Sequence, residues 1–131
     1  MNVLLDTHTF LWTLFDTNKL SNKVLLTIEN EENKVFISAI TFWEISLKYA
    51  LGKLQLNNCT PDYLPKLVAQ MGFDILPFNI QEASSIHQLP LIHRDPFDRM
   101  LIWQSINYNL TFISKDKEMK NYKSSGLKLM W

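Results

Sequence analysis

Four carboxylates far apart in the chain stand where short apolar runs give way to helical patterns: Asp6, Glu44, Asp98 and Asp116. Asp6 ends the run Val3-Leu4-Leu5. Glu44 falls early in the helical pattern after Val35-Phe36-Ile37. Asp98 lies in the first turn of a helix opened by Asp95-Pro96-Phe97, and Asp116 comes just past Leu110-Thr111-Phe112-Ile113. Each acid has an ordinary explanation. Asp6 could cap the helix that follows it. Thr41-x-x-Glu44 has capping-box spacing. Asp95 reads as an N-cap with Pro96 at the first helical position, and Asp98 there suits the helix dipole. Asp116 could cap a short final helix or share a turn with Lys115 and Lys117. Capping does not explain why acids recur at successive strand ends with few positive partners nearby in sequence. Gathered on one edge, they would repel strongly unless a cation compensated. An oxygen ligand set without Cys or His selects Mg²⁺ or Mn²⁺, ions that serve phosphoryl transfer.

Gathering them is the work of the elements between. Strands are expected at 3–5, 35–37, 74–76, 110–113 and 127–130. Helices are expected at Thr7–Phe15, from an N-cap at Ser21 through Ile28, from Thr41 to a stop at Gly52, and at 61–71, 80–89 and 96–108. Short apolar strands alternating with amphipathic helices call for a parallel sheet covered on both faces. In such a sheet ligands bind beyond the carboxyl ends of the strands, where all four acids fall. Trp12, Trp43 and Trp103 lie in helical apolar patterns and read as core.

Composition narrows the functional classes. An apolar share of 47% against 20% charged residues indicates a folded domain. Lys+Arg and Asp+Glu are equal at 13 each, so no overall basic field advertises nucleic acid, and a polyanion would need a local patch or a metal. The lone cysteine, Cys59, cannot pair internally, which favours a reducing, cytoplasmic setting. The N-terminal run is broken by Asp6 and reads as neither signal peptide nor membrane span. With three glycines in the chain there is no glycine-rich phosphate loop, and no Ser-His-Asp set is legible. His8 and His87 read as helix-surface residues. His93, beside Arg94-Asp95, is a candidate for phosphate contact. Arg94, Arg99 and Lys115 are candidates for contacting an RNA backbone, with ordinary surface charge as the alternative for each.

Five stretches together carry a family pattern: Leu4-Leu-Asp-Thr-His-Thr-Phe-Leu-Trp12, Ser38-Ala-Ile-Thr-Phe-Trp-Glu-Ile45, Lys48-Tyr-Ala-Leu-Gly-Lys-Leu54, His93-Arg-Asp-Pro-Phe-Asp-Arg-Met-Leu-Ile102 and Phe112-Ile-Ser-Lys-Asp116. In these the chain resembles PIN-domain ribonucleases, specifically VapC-type toxins of type II toxin–antitoxin pairs. The His-Arg-Asp-Pro-Phe-Asp-Arg block is the most specific. The resemblance implies one three-layer α/β/α PIN-like domain over 1–131 with a mainly parallel sheet, and a Mg²⁺- or Mn²⁺-dependent endoribonuclease. It makes Asp6, Glu44 and Asp98 the core metal-binding acids and Asp116 the fourth, and leaves Asp95 outside them. Ser114 stands where the family often has Thr and is placed to hold a carboxylate or a metal water. Trp103 and Ser105 replace small residues, so packing there should differ. The implied partners are RNA, a small antitoxin whose tail covers the site, and a second copy of the chain. The alternative is a catalytically idle PIN-like interaction module whose acids are caps.

Overall fold

The structure, a computed structural model, describes residues 1–131. Its centre is β1 (Asn2–Leu5), whose Val3, Leu4 and Leu5 are fully buried. Complete burial on both faces requires a strand flanked by strands and covered above and below. Accordingly, β1 pairs in parallel with β2 (Lys34–Ser38) on one side and β4 (Thr111–Ile113) on the other, Leu4 standing level with both Phe36 and Phe112. The edges are β3 (Asp74–Leu76), beside β2, and β5 (Lys128–Met130), beside β4, also parallel. The order is β3-β2-β1-β4-β5.

Two apolar clusters fill the two faces. On one, Val3, Leu5, Ile37 and Ile113 meet residues of α1 (Thr7–Phe15), α2 (Asn22–Glu29) and α4 (Leu64–Gln70). On the other, Leu4 and Phe112 meet Leu101 and Ile102 of α6 (Pro96–Asn107), with Met119 and Tyr122 from the 3₁₀ segment Lys117–Ser125. The alternation of Leu4 against Val3 and Leu5 follows from the two-residue period of a strand. Helix α3 (Ala39–Ala50) serves both sides, Ile45 joining the first cluster and Ile40 the second. The chain is thus a three-layer α/β/α fold around an all-parallel sheet. No helix is long and apolar enough to cross a membrane.

Several expected details differ. Helix α3 starts two residues before Thr41, because the Ser38 hydroxyl accepts from the Ile40 N–H at 3.0 Å. Thr41 and Glu44 therefore form no capping box. The box forms instead at α5 (Ile80–Ser85), between Asn79 and Glu82. The expected helix at 61–71 divides into a 3₁₀ turn, Pro61–Tyr63, and α4. The one at 80–89 divides into α5 and the 3₁₀ turn Ile86–Gln88. Trp43 is not core: it is 54% exposed and packs edge-on against Phe97, ring centroids 5.1 Å apart. The chain accommodates Trp103 and Ser105 by hydrogen bonds, the indole N–H donating to Ser85 Oγ and the Ser105 hydroxyl to the Leu101 carbonyl.

Candidate metal centre

After β1 the chain crosses to β2 on one side, whereas β4 lies on the other. The loops leaving β1 and β4 therefore diverge and open a crevice at the carboxyl edge. Asp6 sits in it, directly after β1. One oxygen caps α1, accepting from the Thr9 N–H at 2.8 Å, and the other accepts from the Ser114 hydroxyl at 2.6 Å. Ser114 follows β4, so this bond crosses the switch point of the sheet. Ser114 Oγ in turn accepts from the Asp116 N–H at 3.2 Å. Burial pushes the Asp6 carboxyl above its ordinary pKa, against the hydrogen bonds from Ser114 and Thr9 and the charge of His8.

Glu44, buried in the second turn of α3, caps nothing. Its Oε1 accepts from the Thr7 hydroxyl at 2.6 Å and its Oε2 from the Lys48 ammonium one turn along. Burial works against the charge on Lys48, but Glu44, with Asp95 and Asp98 behind it, raises its pKa overall.

At the mouth of α6, the two acids divide their roles. Asp95 is the cap, accepting from the Phe97 and Asp98 N–H groups at 2.8 and 3.2 Å. Asp98 turns its carboxylate to His93, with Nε2 2.9 Å from Oδ2. The Asp98 pKa is pushed up to about 6, by burial first and then by the charges of Asp95, Asp6 and Glu44, with the His93 bond opposing. His93 loses charge stability through burial and regains more from Asp98, so its pKa is raised. Asp116 caps the segment Lys117–Ser125 through the Glu118 N–H and remains exposed at the rim.

Asp6, Glu44, Asp95, Asp98 and Asp116 thus line one cleft of about 100 Å³ with Thr7, His8, Lys48 and Met119. Capping accounts for Asp6, Asp95 and Asp116, yet each also faces this cleft. It accounts for neither Glu44 nor the orientation of Asp98. The lining fits a divalent cation: the donors are carboxylate oxygens, and the charges of Asp95, Asp6 and Glu44 add to burial in raising the Asp98 pKa, a repulsion that a cation would relieve.

The cationic candidates separate. Arg94 and Lys115 are exposed, the Lys115 ammonium lying 5.8 Å from the centre of the Trp12 ring. Arg99 is turned inward and is removed from the RNA-contact candidates. It is 8% exposed, and its guanidinium donates to the Pro90 and Leu89 carbonyls and to the Tyr122 hydroxyl. The Tyr122 hydroxyl also accepts from the Ile92 and His93 N–H groups and donates to the Pro90 carbonyl, which pins the loop before α6. Sequence reasoning did not single out Lys48, Thr7 or Tyr122. The Glu44-x-x-x-Lys48 spacing is a helix ion-pair signal that could have found the first. Nothing local marks Tyr122.

The chain matches the model of the PIN domain over residues 3–124. It is 27% identical over 67 residues to Ribonuclease VapC16 of Mycobacterium tuberculosis (strain ATCC 25618 / H37Rv). That stretch is 51% of this chain and 46% of the relative, so it spans about half the length of each. Among solved structures, VapBC2 from Rickettsia felis bound to a promoter DNA fragment superposes with TM-score 0.70 at 17% identity, covering 99% of this chain and 98% of that one. FitAcB from Neisseria gonorrhoeae superposes with TM-score 0.65 at 23% identity, covering 100% and 97%. At these identities the superpositions speak to the fold, and with a family model that extends from β1 through the 3₁₀ segment after Asp116, the chain belongs to the PIN domain family.

Proposed function

We propose that this protein is a divalent-metal-dependent endoribonuclease and the toxin of a toxin–antitoxin pair. The observation that carries the reading is the convergence of Asp6, Glu44, Asp98 and Asp116 on one cleft from four separate segments. Asp6 and Asp98 would hold the main ion, with Glu44 and Asp116 completing the site or orienting water. Mg²⁺ and Mn²⁺ are the ions an oxygen-dominated set selects. A bound divalent ion supplies Lewis-acid polarisation of a phosphodiester and hydroxide at neutral pH. The protein supplies the positioning. Ser114 and the Thr9 N–H hold both oxygens of Asp6, so its carboxylate cannot swing. Thr7 and Lys48 hold Glu44 in the same way. Arg94 and Lys115, exposed near the acids, are placed to meet the backbone of an RNA strand.

The likeness to Ribonuclease VapC16 supports ribonuclease chemistry, and the likeness to the VapBC2 structure supports a partner protein. That partner would be an antitoxin, with a second copy of the chain completing the assembly. Incubating purified protein with total RNA tests the enzyme: cleavage with Mg²⁺ or Mn²⁺ and none in EDTA is the expected result. Undiminished cleavage in EDTA, by protein free of contaminating nuclease, sinks the metal mechanism. A small DNA-binding reading frame beside the gene would support the toxin pair.

A further inference from the structure

His93 lies between Asp98 of α6 and Asp116 of the loop after β4, and several observations on it converge. One of its ring nitrogens, Asp98 and Asp116 each offer a ligand atom, and these atoms all lie within 4.8 Å of one another. The 2.9 Å between Nε2 and Asp98 Oδ2 is a hydrogen-bond length, and it is also the spacing of neighbouring ligands at an octahedral ion with bonds of about 2.1 Å. On the far side of the ring, Nδ1 faces the Glu118 carboxylate at 3.5 Å. Metal-binding imidazoles commonly present one nitrogen to the ion and the other N–H to a carboxylate, which sets tautomer and ring orientation. The backbone is also held, because the His93 N–H donates to the Tyr122 hydroxyl at 2.8 Å.

We propose that His93 ligates the divalent ion together with Asp98 and Asp116, making this a mixed nitrogen–oxygen centre that favours Mn²⁺, or another first-row ion, over Mg²⁺. The inference rests on the metal-centre part of the preceding reading and departs from the oxygen-only set expected there. The competing role for His93 is a hydrogen bond that merely orients Asp98. The two roles differ in consequence. A ligating nitrogen discriminates between ions, since imidazole suits softer transition metals and Mg²⁺ prefers oxygen. A hydrogen bond to a carboxylate affects every ion alike.

The test needs no RNA. Calorimetric titration of the whole protein with Mn²⁺ and separately with Mg²⁺ gives the affinity ratio for wild type and for His93→Gln. Gln keeps an N–H donor for Asp98 while replacing the imidazole nitrogen by an amide. The expected result is a loss of roughly tenfold or more in Mn²⁺ affinity with a much smaller change for Mg²⁺. An unchanged ratio overturns the proposal, whether both affinities fall or neither does. Spin-echo modulation of Mn²⁺ bound to wild type provides a readout that needs no variant: nitrogen-14 coupling is expected, and its absence, or failure to bind Mn²⁺, overturns the proposal. Nitrogen coupling without RNA cleavage would leave this ligand set standing and remove the nuclease reading. Metal-dependent cleavage without nitrogen coupling would do the reverse.

Discussion

Lys48 binds the inner face of the acidic cleft, its ammonium bonded to Glu44 Oε2 while Thr7 holds Oε1 at 2.6 Å. It is the one permanently cationic residue lining that cleft. Removing one partner of a buried pair leaves the other charge uncompensated, an effect reduced here because a third of the Lys48 side chain is exposed. Lys48→Met should lower metal-free stability by about 1–3 kcal/mol, and the melting shift on adding Mn²⁺ should grow. Lys48→Arg should restore the metal-free melting temperature. A neutral Lys48→Met melt would mean that Glu44 does not depend on Lys48.

Asp95 and Asp98 share a helix mouth but make different contacts, which separates them experimentally. Asp98→Asn should abolish RNA cleavage. Asp95→Asn should retain a measurable fraction, because Asn is itself a good N-cap and the Phe97 and Asp98 N–H groups keep their acceptor. Equal loss in the two variants would place Asp95 among the ligands.

Asp6→Asn tests the cluster against the capping explanation. Asn can still accept from the Thr9 N–H, and a buried charge in a like-charged cleft is removed. Metal-free stability should therefore stay level or rise, while activity disappears. Wild type should gain stability with Mn²⁺ by mass action and the variant much less. Thermal melts of both, with and without Mn²⁺, decide it; an equal shift in the two would refute Asp6 as a ligand.

The raised Asp98 pKa makes stability depend on pH with a defined sign. Between about pH 4 and 6 the folded protein holds a proton on Asp98 that the unfolded chain has released, so metal-free stability falls as pH rises through that window. A rise from 3.8 to about 6 is worth on the order of 3 kcal/mol at most. His93 acts in the same direction higher up: its raised pKa stabilises the fold below 6.5, and this is lost as pH climbs through the folded value. Melts from pH 4 to 8 should show the decline, and Asp98→Asn should flatten its lower part. The Mn²⁺-induced shift should run the other way and grow with pH, since the ligand must be ionised. A pH-independent Mn²⁺ shift would contradict Asp98 as a ligand.

The Tyr122 hydroxyl accepts from two backbone N–H groups and from Arg99; in Tyr122→Phe the His93 N–H loses its acceptor, whereas the Ile92 N–H and Arg99 keep the Pro90 carbonyl. A loss of about 1–3 kcal/mol is expected, the cost of a partly buried donor left unsatisfied. Proteolytic nicking should appear first in the loop from Pro90 to Arg94. A variant as stable as wild type would show that water replaces the hydroxyl.

Local pattern determined a large part of this molecule. Val3-Leu4-Leu5 and Val35-Phe36-Ile37 are apolar throughout, and only strands buried on both faces of a parallel sheet need that, so the layers follow from the strings themselves. Asp6, Ser21 and Asp95 sit where caps belong, because a helix start needs an acceptor within three residues, a local requirement. The four acids could be placed on one edge for the same reason: a strand end is a local feature, and a parallel sheet aligns all its strand ends. What each acid touches depends on which segments become neighbours, and this the folded chain alone decided. Glu44 was legible as a capping-box acid, yet Ser38 starts the helix earlier and Thr7, from another strand end, takes the carboxylate. Arg99 stands beside Asp98 in sequence and faces away from the cleft, since one residue along a helix turns a side chain by about 100° and sends its guanidinium toward Tyr122. His93 and Asp116 are far apart in sequence and become neighbours only where the loop before α6 meets the one after β4. Periodicity and capping act within a few residues and can be read from one string, whereas these contacts join distant segments and exist only after the sheet has ordered its strands.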